Sequence, residues 1–204
     1  MQTISRDATA MTTSQLVDSR RRVIELAARW YVFIFLNIYG IGKIAGGQFY
    51  RRGHLPPEIA QLTLGSAGSF ELAWTFMGYS FAYILFIGLA EIVGAWMLLW
   101  ERTKLMGVAV LLPVMVNIIV FDVIFLDKYG ALASATIYTV LLFVILACNQ
   151  ERVSLAVRAL MPKVQAERLP FRVRAKFAIL ALCLMGALFA FDQMLVNLLG
   201  HGKG

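Results

Sequence analysis

Histidine and cysteine each occur only twice in this chain of 204 residues, as His54, His201, Cys148 and Cys183. Both histidines fall outside every apolar run, which argues against a bis-histidine haem or a histidine-rich metal site inside a membrane. The cysteines form no CxxC pair, so thiol–disulfide exchange has no sequence basis, and both read as small apolar residues. Charge is scarce too. Charged residues make up 15% of the chain, against about 25% in an average soluble domain. Neither a phosphate-cradling GxxxxGK[ST] loop nor a GxSxG nucleophile elbow is present.

What is abundant is apolar sequence: 60% of residues are hydrophobic and the mean hydropathy is +0.73. These residues fall into runs long enough to cross a bilayer, which takes roughly 20 residues each. The pattern predicts spans over 28–49, 80–100, 104–126, 130–149 and 177–199. "SRRR" (Ser19–Arg22) ahead of the first run resembles a secretory signal, but the run is too long for an h-region and reads as an uncleaved span. Very short connections at 101–103 and 127–129 impose antiparallel neighbours, as in an up-down bundle. Residues 50–79 carry "HLPPE", a short helix expected near 58–64, and an aromatic stretch, "FELAWTFMGYS". That stretch is too short to span and suits an interfacial or re-entrant segment.

The net charge of +7 is distributed unevenly. With five spans, fourteen lysines and arginines (N-terminal segment, 101–104 turn and residues 150–176) share one side, against four on the other, Arg51, Arg52, Lys128 and Lys203. The positive-inside rule then puts the N-terminus in the cytoplasm and the C-terminus outside. The domain reading is a polar cytoplasmic tail (1–27), a four-span core (28–149), a basic amphipathic surface segment (150–176), a fifth span (177–199) and a short external tail (200–204). Basic residues near anionic lipid gain about 1 kcal/mol each, so the partner these charges imply is the bilayer. They lack the interleaved aromatics of a nucleic-acid surface.

Polar residues inside the runs are the functional candidates, because a charge at a span centre costs about 2.5–3.5 kcal/mol and usually faces the bundle with a partner. Glu91 lies roughly 16 Å into its span, near the midplane, while Lys43 and Asp122 lie roughly 9 and 6 Å from the outer boundary. Lys43 either snorkels outward or pairs with one of the two acids. Glu91 is a structural hydrogen-bonding group or a ligand- and proton-handling one. Asn117 reads as interhelical glue or a ligand contact, and Asp122 as an edge carboxylate or part of a pocket. Asp192, Gln193 and Asn197 are near the outer end of the fifth run, where solvation accounts for them. Gly42 and Gly46 form GxxxG, and Gly88, Glu91 and Gly94 share a flat face. Pro113 should loosen the helix one turn before Asn117.

Residues 70–125, with "GLAEIVGA", the "ERT" turn and "VNIIVFDV", together with "YGIGKI" at the end of the first run, resemble the DoxX/DoxD family of small bacterial membrane proteins. Members tend to carry a proline after the aromatic-Asp-Val piece, where this chain has Ile124. The resemblance implies an all-α membrane protein, a four-transmembrane-helix DoxX-like bundle over about 28–149, here followed by a fifth C-terminal transmembrane helix. It also implies residence in the bacterial inner membrane and a role beside a quinone-linked oxidoreductase, as accessory subunit or quinone-binding component. In that role Glu91 would carry protons, and Lys43, Asn117, Asp122 and Trp74 would line the ligand site. Quinone is the cofactor implied, with no metal. A membrane or peripheral oxidoreductase, or a second copy of the chain, is the protein partner. A small-solute binding or permeation protein, and a scaffold holding only a structural ion pair, are the other readings the residues allow.

Overall fold

The structure is a computed structural model that describes residues 13–126, 129–161 and 170–199. The first twelve residues of the expected tail, Lys128 in the third connection, Lys163 and Arg168 of the basic segment, and the 200–204 tail lie outside the described residues. The chain divides into two units, residues 1–160 and 161–204.

Helix α1 (Thr13–Ala45) has 33 residues, about 50 Å at 1.5 Å per residue. It starts well before the apolar run, which was expected to begin at 28. The reason is a continuous buried stripe at Glu25, Ala28, Arg29, Val32, Leu36, Gly40 and Lys43, the three-and-four spacing of one helical face. The two charged residues at its start are held by charges on other elements, so the helix does not need an apolar sequence there. The helix stops at Ala45 rather than 49. Gly46, at φ +100°, takes the left-handed conformation that glycine adopts without strain. The Gly47 amide donates to Gly42 O (3.0 Å) and the Gly46 amide to Lys43 O (3.2 Å), the paired bonds of a Schellman cap. Arg51 donates to the carbonyls of Lys43 and Ile44 and closes the same end.

The 46–80 connection contains α2 (Pro57–Ala60) and α3 (Ser69–Gly78). Helix α3 meets α4 (Phe81–Met97) at 91°, so the aromatic stretch is a bent-over segment, as its length required. Gly78 permits the turn: a Cβ there would collide with the Tyr50 backbone. Helices α5 (Lys104–Phe125) and α6 (Tyr129–Cys148) follow, then the short α7 (Gln150–Leu160), which covers only the first part of the expected 150–176 segment. Helix α5 continues through Pro113. In the second unit α8 (Phe171–Leu199) begins six residues earlier than expected.

Helices α1, α4, α5 and α6 close into a ring in which α1 packs on α4 and α6, and α5 on α4 and α6. The pairings are antiparallel: Arg29 meets Leu98 while Lys43 meets Glu91, and Arg21 meets Cys148 while Tyr39 meets Tyr138. A dry layer including Val32, Leu36, Leu98, Leu111, Leu142 and Ile145 fills the middle. Helices α1, α5, α6 and α8 are each long and apolar enough to cross a membrane, and α3 with α4 meets the same test as a bent pair. Among the described residues all regular structure is helical. The helices fit a multi-pass membrane protein.

Two glycine contacts bring the ring to close range. A Cβ on Gly88 would lie 2.8 Å from Ile44 and 3.0 Å from Gly40 O, and one on Gly107 would lie 2.8 Å from Gly94 O. Gly42, expected to be half of a GxxxG contact, has open space around it, and Gly46 lies beyond the helix end. The α1 crossing uses Gly40 instead.

Candidate functional site

Glu91 projects from α4 between Gly88, which faces α1, and Gly94, which faces α5, and is fully buried. With no Cβ on either side, the neighbouring helices approach closely enough to remove the carboxylate from lipid. Lys43, 5% exposed, reaches it from the last turn of α1. Its Nζ donates to both carboxylate oxygens, at 2.6 and 2.7 Å. Of the partners open to Lys43, the structure therefore assigns Glu91, and snorkelling is excluded. Such a two-oxygen bond satisfies the carboxylate in a place where an unpaired charge would be costly. The Tyr39 ring, with its centroid 5.9 Å from Nζ, adds a weak cation–π contact.

Asp122 on α5 faces the same space. It is 5% exposed, and its Oδ2 is buried without a hydrogen-bond partner. Buried polar atoms are nearly always paired, and each exception calls for an explanation. Here the explanation lies beside a cavity of about 110 Å³ walled by Lys43, Glu91, Asp122, Tyr39, Ser134 and Tyr138. A second cavity of about 290 Å³ shares Lys43, Gln48, Trp74, Ile118 and Asp122 with the first, and continues between α4 and α5.

Trp74 stands at the junction of the two. It stacks on Phe70 with centroids 4.3 Å apart, meets Phe49 edge-on at 5.5 Å and approaches Phe121 at 6.4 Å. This aromatic group roofs the site where α3 folds over the bundle. Asn117 is exposed and lines the larger cavity, and its side chain makes no hydrogen bond among the described residues. It is not interhelical glue. The hydroxyls of Ser134, Thr136 and Thr139 turn back to carbonyls of their own helix. Asp192, Gln193 and Asn197 belong to α8 in the second unit.

Of the five residues expected at a site, Lys43, Glu91 and Asp122 come together on one cavity, Trp74 closes it, and Asn117 lies on the adjoining one. No family model matches the chain, and no solved structure matches it. Among curated proteins, "Uncharacterized protein YwoB" of Bacillus subtilis (strain 168) is 36% identical over 133 residues, covering 65% of this chain and 80% of that protein. The chain belongs to the family of YwoB. For this member of the family, no group of three or more histidine, cysteine or acidic residues suited to a metal ion occurs among the described residues.

The opposite end of the bundle holds a second ionic cluster, which the sequence reading treated only as topology charges. Lys104 Nζ lies 2.5 Å from Glu25 and 2.7 Å from Glu101, and Arg29 lies 2.5 Å from Glu101 and 3.7 Å from Glu25. Arg29 also donates to the Leu98 and Leu99 carbonyls, capping the C-terminus of α4. Hydrogen bonds from Lys104 and then Arg29 push the Glu101 carboxyl down to about 2. The signal was in the sequence: Glu25/Arg29 at i, i+4 and Glu101/Lys104 at i, i+3 are the spacings at which helical side chains meet.

Proposed function

We propose that this protein is a DoxX-like component of the bacterial inner membrane that binds a lipophilic molecule with a polar head, such as a quinone or quinol, as an accessory part of a redox system. The observation that carries this reading is the buried, partnerless Asp122 Oδ2 beside the Lys43–Glu91 pair, in a cavity that continues into an apolar groove. The larger cavity, about 290 Å³, lies at the lower end of the usual ligand-site range of about 300–1,000 Å³. In this reading α4 is the second span, α3 lies against the membrane surface as the interfacial segment, and α8 is the fifth span. The Arg29 end faces the cytoplasm, since most basic residues lie on that side.

The residues fit such a head. Asp122 accepts a hydrogen bond, Lys43 retains a third N–H beyond the two given to Glu91, and the aromatic roof around Trp74 excludes water. A bound quinone or quinol supplies a two-electron, two-proton couple, which none of these side chains provides. The sequence reading gave proton carriage to Glu91. With both Glu91 oxygens on Lys43, we move that role to Asp122 and leave Glu91 to hold the lysine in place.

The test is chromatographic. Full-length protein purified from native membranes is extracted with organic solvent and the extract assayed for isoprenoid quinone. Near-stoichiometric quinone, reduced severalfold by D122L, is the expected result. An extract no richer in quinone than that of an unrelated membrane protein would overturn the reading.

A further inference from the structure

The larger cavity decides how a ligand reaches Asp122, and the unpaired groups decide what its head must carry. Access along the bundle axis is roofed by Phe49, Phe70, Trp74 and Phe121. Phe49, Trp74 and Phe121 close only the inner end of the groove between α4 and α5; its outer part is walled by those two helices among the described residues of the first unit. Its α4 wall includes Tyr83 and Phe86, which are 42% and 69% exposed, and Asn117 stands exposed on its α5 wall. Exposed Phe86 and Tyr83 at this level suit contact with acyl chains rather than water. An amide such as Asn117 that faces lipid with no partner is costly, since hydrocarbon offers it no hydrogen bond.

At the inner end the demand is for a donor and an acceptor on one group. An ionised Asp122 can only accept at Oδ2, so it needs a donor, and the third N–H of Lys43 needs an acceptor. A hydroxyl meets both needs with one oxygen: its O–H donates to Asp122 and its lone pair accepts from Lys43. A carbonyl or ether oxygen meets only the second. Lys43 and Asp122 border both spaces, but Glu91, Ser134 and Tyr138 line only the small cavity, whereas Phe86, Ile87 and Val114 line only the groove, so the head is assigned to the first and the tail to the second.

Resting on the ligand-binding reading above, we infer that the molecule taken here is a hydroxyl-headed amphiphile. It enters sideways from the bilayer between α4 and α5, its hydroxyl bridges Asp122 and Lys43, and its chain lies along Ala90, Val114 and Asn117. For a quinone couple, this selects the reduced, diol form.

The test measures binding to the full chain in detergent micelles, by calorimetry, with three probes: hydroquinone bearing a ten-carbon chain, the dimethyl ether of that compound, and hydroquinone itself. The tailed diol should bind at least about tenfold more tightly than either of the others: burial of only two methylenes is worth about that factor over hydroquinone, and the hydrogen bond donated to a charged Asp122 is worth about as much over the ether. A90F and, from the opposite wall, V114F should bring the tailed diol down to the level of hydroquinone and leave hydroquinone unchanged. D122L should abolish the advantage of diol over ether. Thermal melts establish that each variant is folded, and two groove variants are included so that one failure to fold leaves the other readable. Equal binding of diol and ether overturns the hydroxyl assignment. Tailed-diol binding that ignores both groove variants, or no binding of any probe, overturns the lateral site. These outcomes are distinct from the quinone content of the native extract, which tests the broader reading separately.

Discussion

Removing Lys43 should be far more damaging than removing its partner, although the two form one ion pair. In K43M, Glu91 keeps its fully buried position and loses both hydrogen bonds, at 2.6 and 2.7 Å. Breaking a buried pair from one side typically costs about 3–5 kcal/mol, because the remaining charge stays buried without compensation. In E91Q the orphan is Lys43, which still faces Asp122 across the same cavity and can turn to it. That variant should lose only about 1–3 kcal/mol, the cost of a lost charged hydrogen bond with a substitute available. In the double variant K43M/E91M both charges are gone from a closely packed face. Replacing a buried pair by apolar groups is often neutral or stabilising by about 1–4 kcal/mol. Reversible unfolding in mixed micelles, followed by helicity, measures all three, and the coupling between the two sites should exceed about 2 kcal/mol. A K43M protein as stable as the double variant, or an E91Q protein less stable than K43M, would refute this reasoning. The double variant also separates function from scaffold: a folded K43M/E91M protein that still supports cellular function would leave the pair a purely structural role.

Four further outcomes follow from the packing and the charge clusters. G88A should destabilise the protein by about 1–3 kcal/mol, because its Cβ would meet Ile44 at 2.8 Å and the Gly40 carbonyl at 3.0 Å and push α1 and α4 apart. G42A should be neutral or stabilising by up to about 1 kcal/mol, since nothing lies within 4 Å and alanine favours the helix; the same unfolding assay compares them. Glu101 is held down from 4.5 to about 2 in the fold. A depressed acid contributes stability above its unfolded value and loses it as pH falls through the folded one. Stability should therefore decline between pH 4.5 and about 2, and E101Q should flatten part of that slope in melts recorded across the range. R29M removes the cap on the Leu98 and Leu99 carbonyls and one side of the ionic cluster. It should cost about 1–3 kcal/mol, for the helix-end carbonyls left without a donor, and hydrogen exchange should show protection lost at the α4–α5 turn.

Apolar run length located the bundle helices α4, α5 and α6 to within about three residues at either end, because hydrocarbon thickness leaves little freedom there. Depth along the helices put Lys43 within reach of two acids but left snorkelling open beside pairing. Nor did it choose between the acids. That choice depends on Gly88 and Gly94 letting α1 and α5 close on Glu91, a contact between elements that span positions do not encode. The early start of α1 was missed because residues 13–27 look polar in isolation. Their helical face is stabilised by Lys104 and Glu101, more than seventy positions away in the chain. Counting Arg29 and Lys104 as topology charges concealed a buried network, although their i, i+4 and i, i+3 acidic neighbours announced it. For Asn117 the sequence left interhelical glue and a ligand contact open, because a polar residue in a span does not itself say which face it takes; this one faces the groove.

The ligand claim rests on one atom, and a high-resolution map of the protein in native lipid examines that atom directly. Non-protein density within hydrogen-bonding distance of Asp122 Oδ2, continuing as a chain between α4 and α5 past Ala90 and Asn117, is the expected result. An Asp122 carboxylate bonded to a protein group, with only acyl chains loosely filling the groove and nothing in the small cavity, would contradict it.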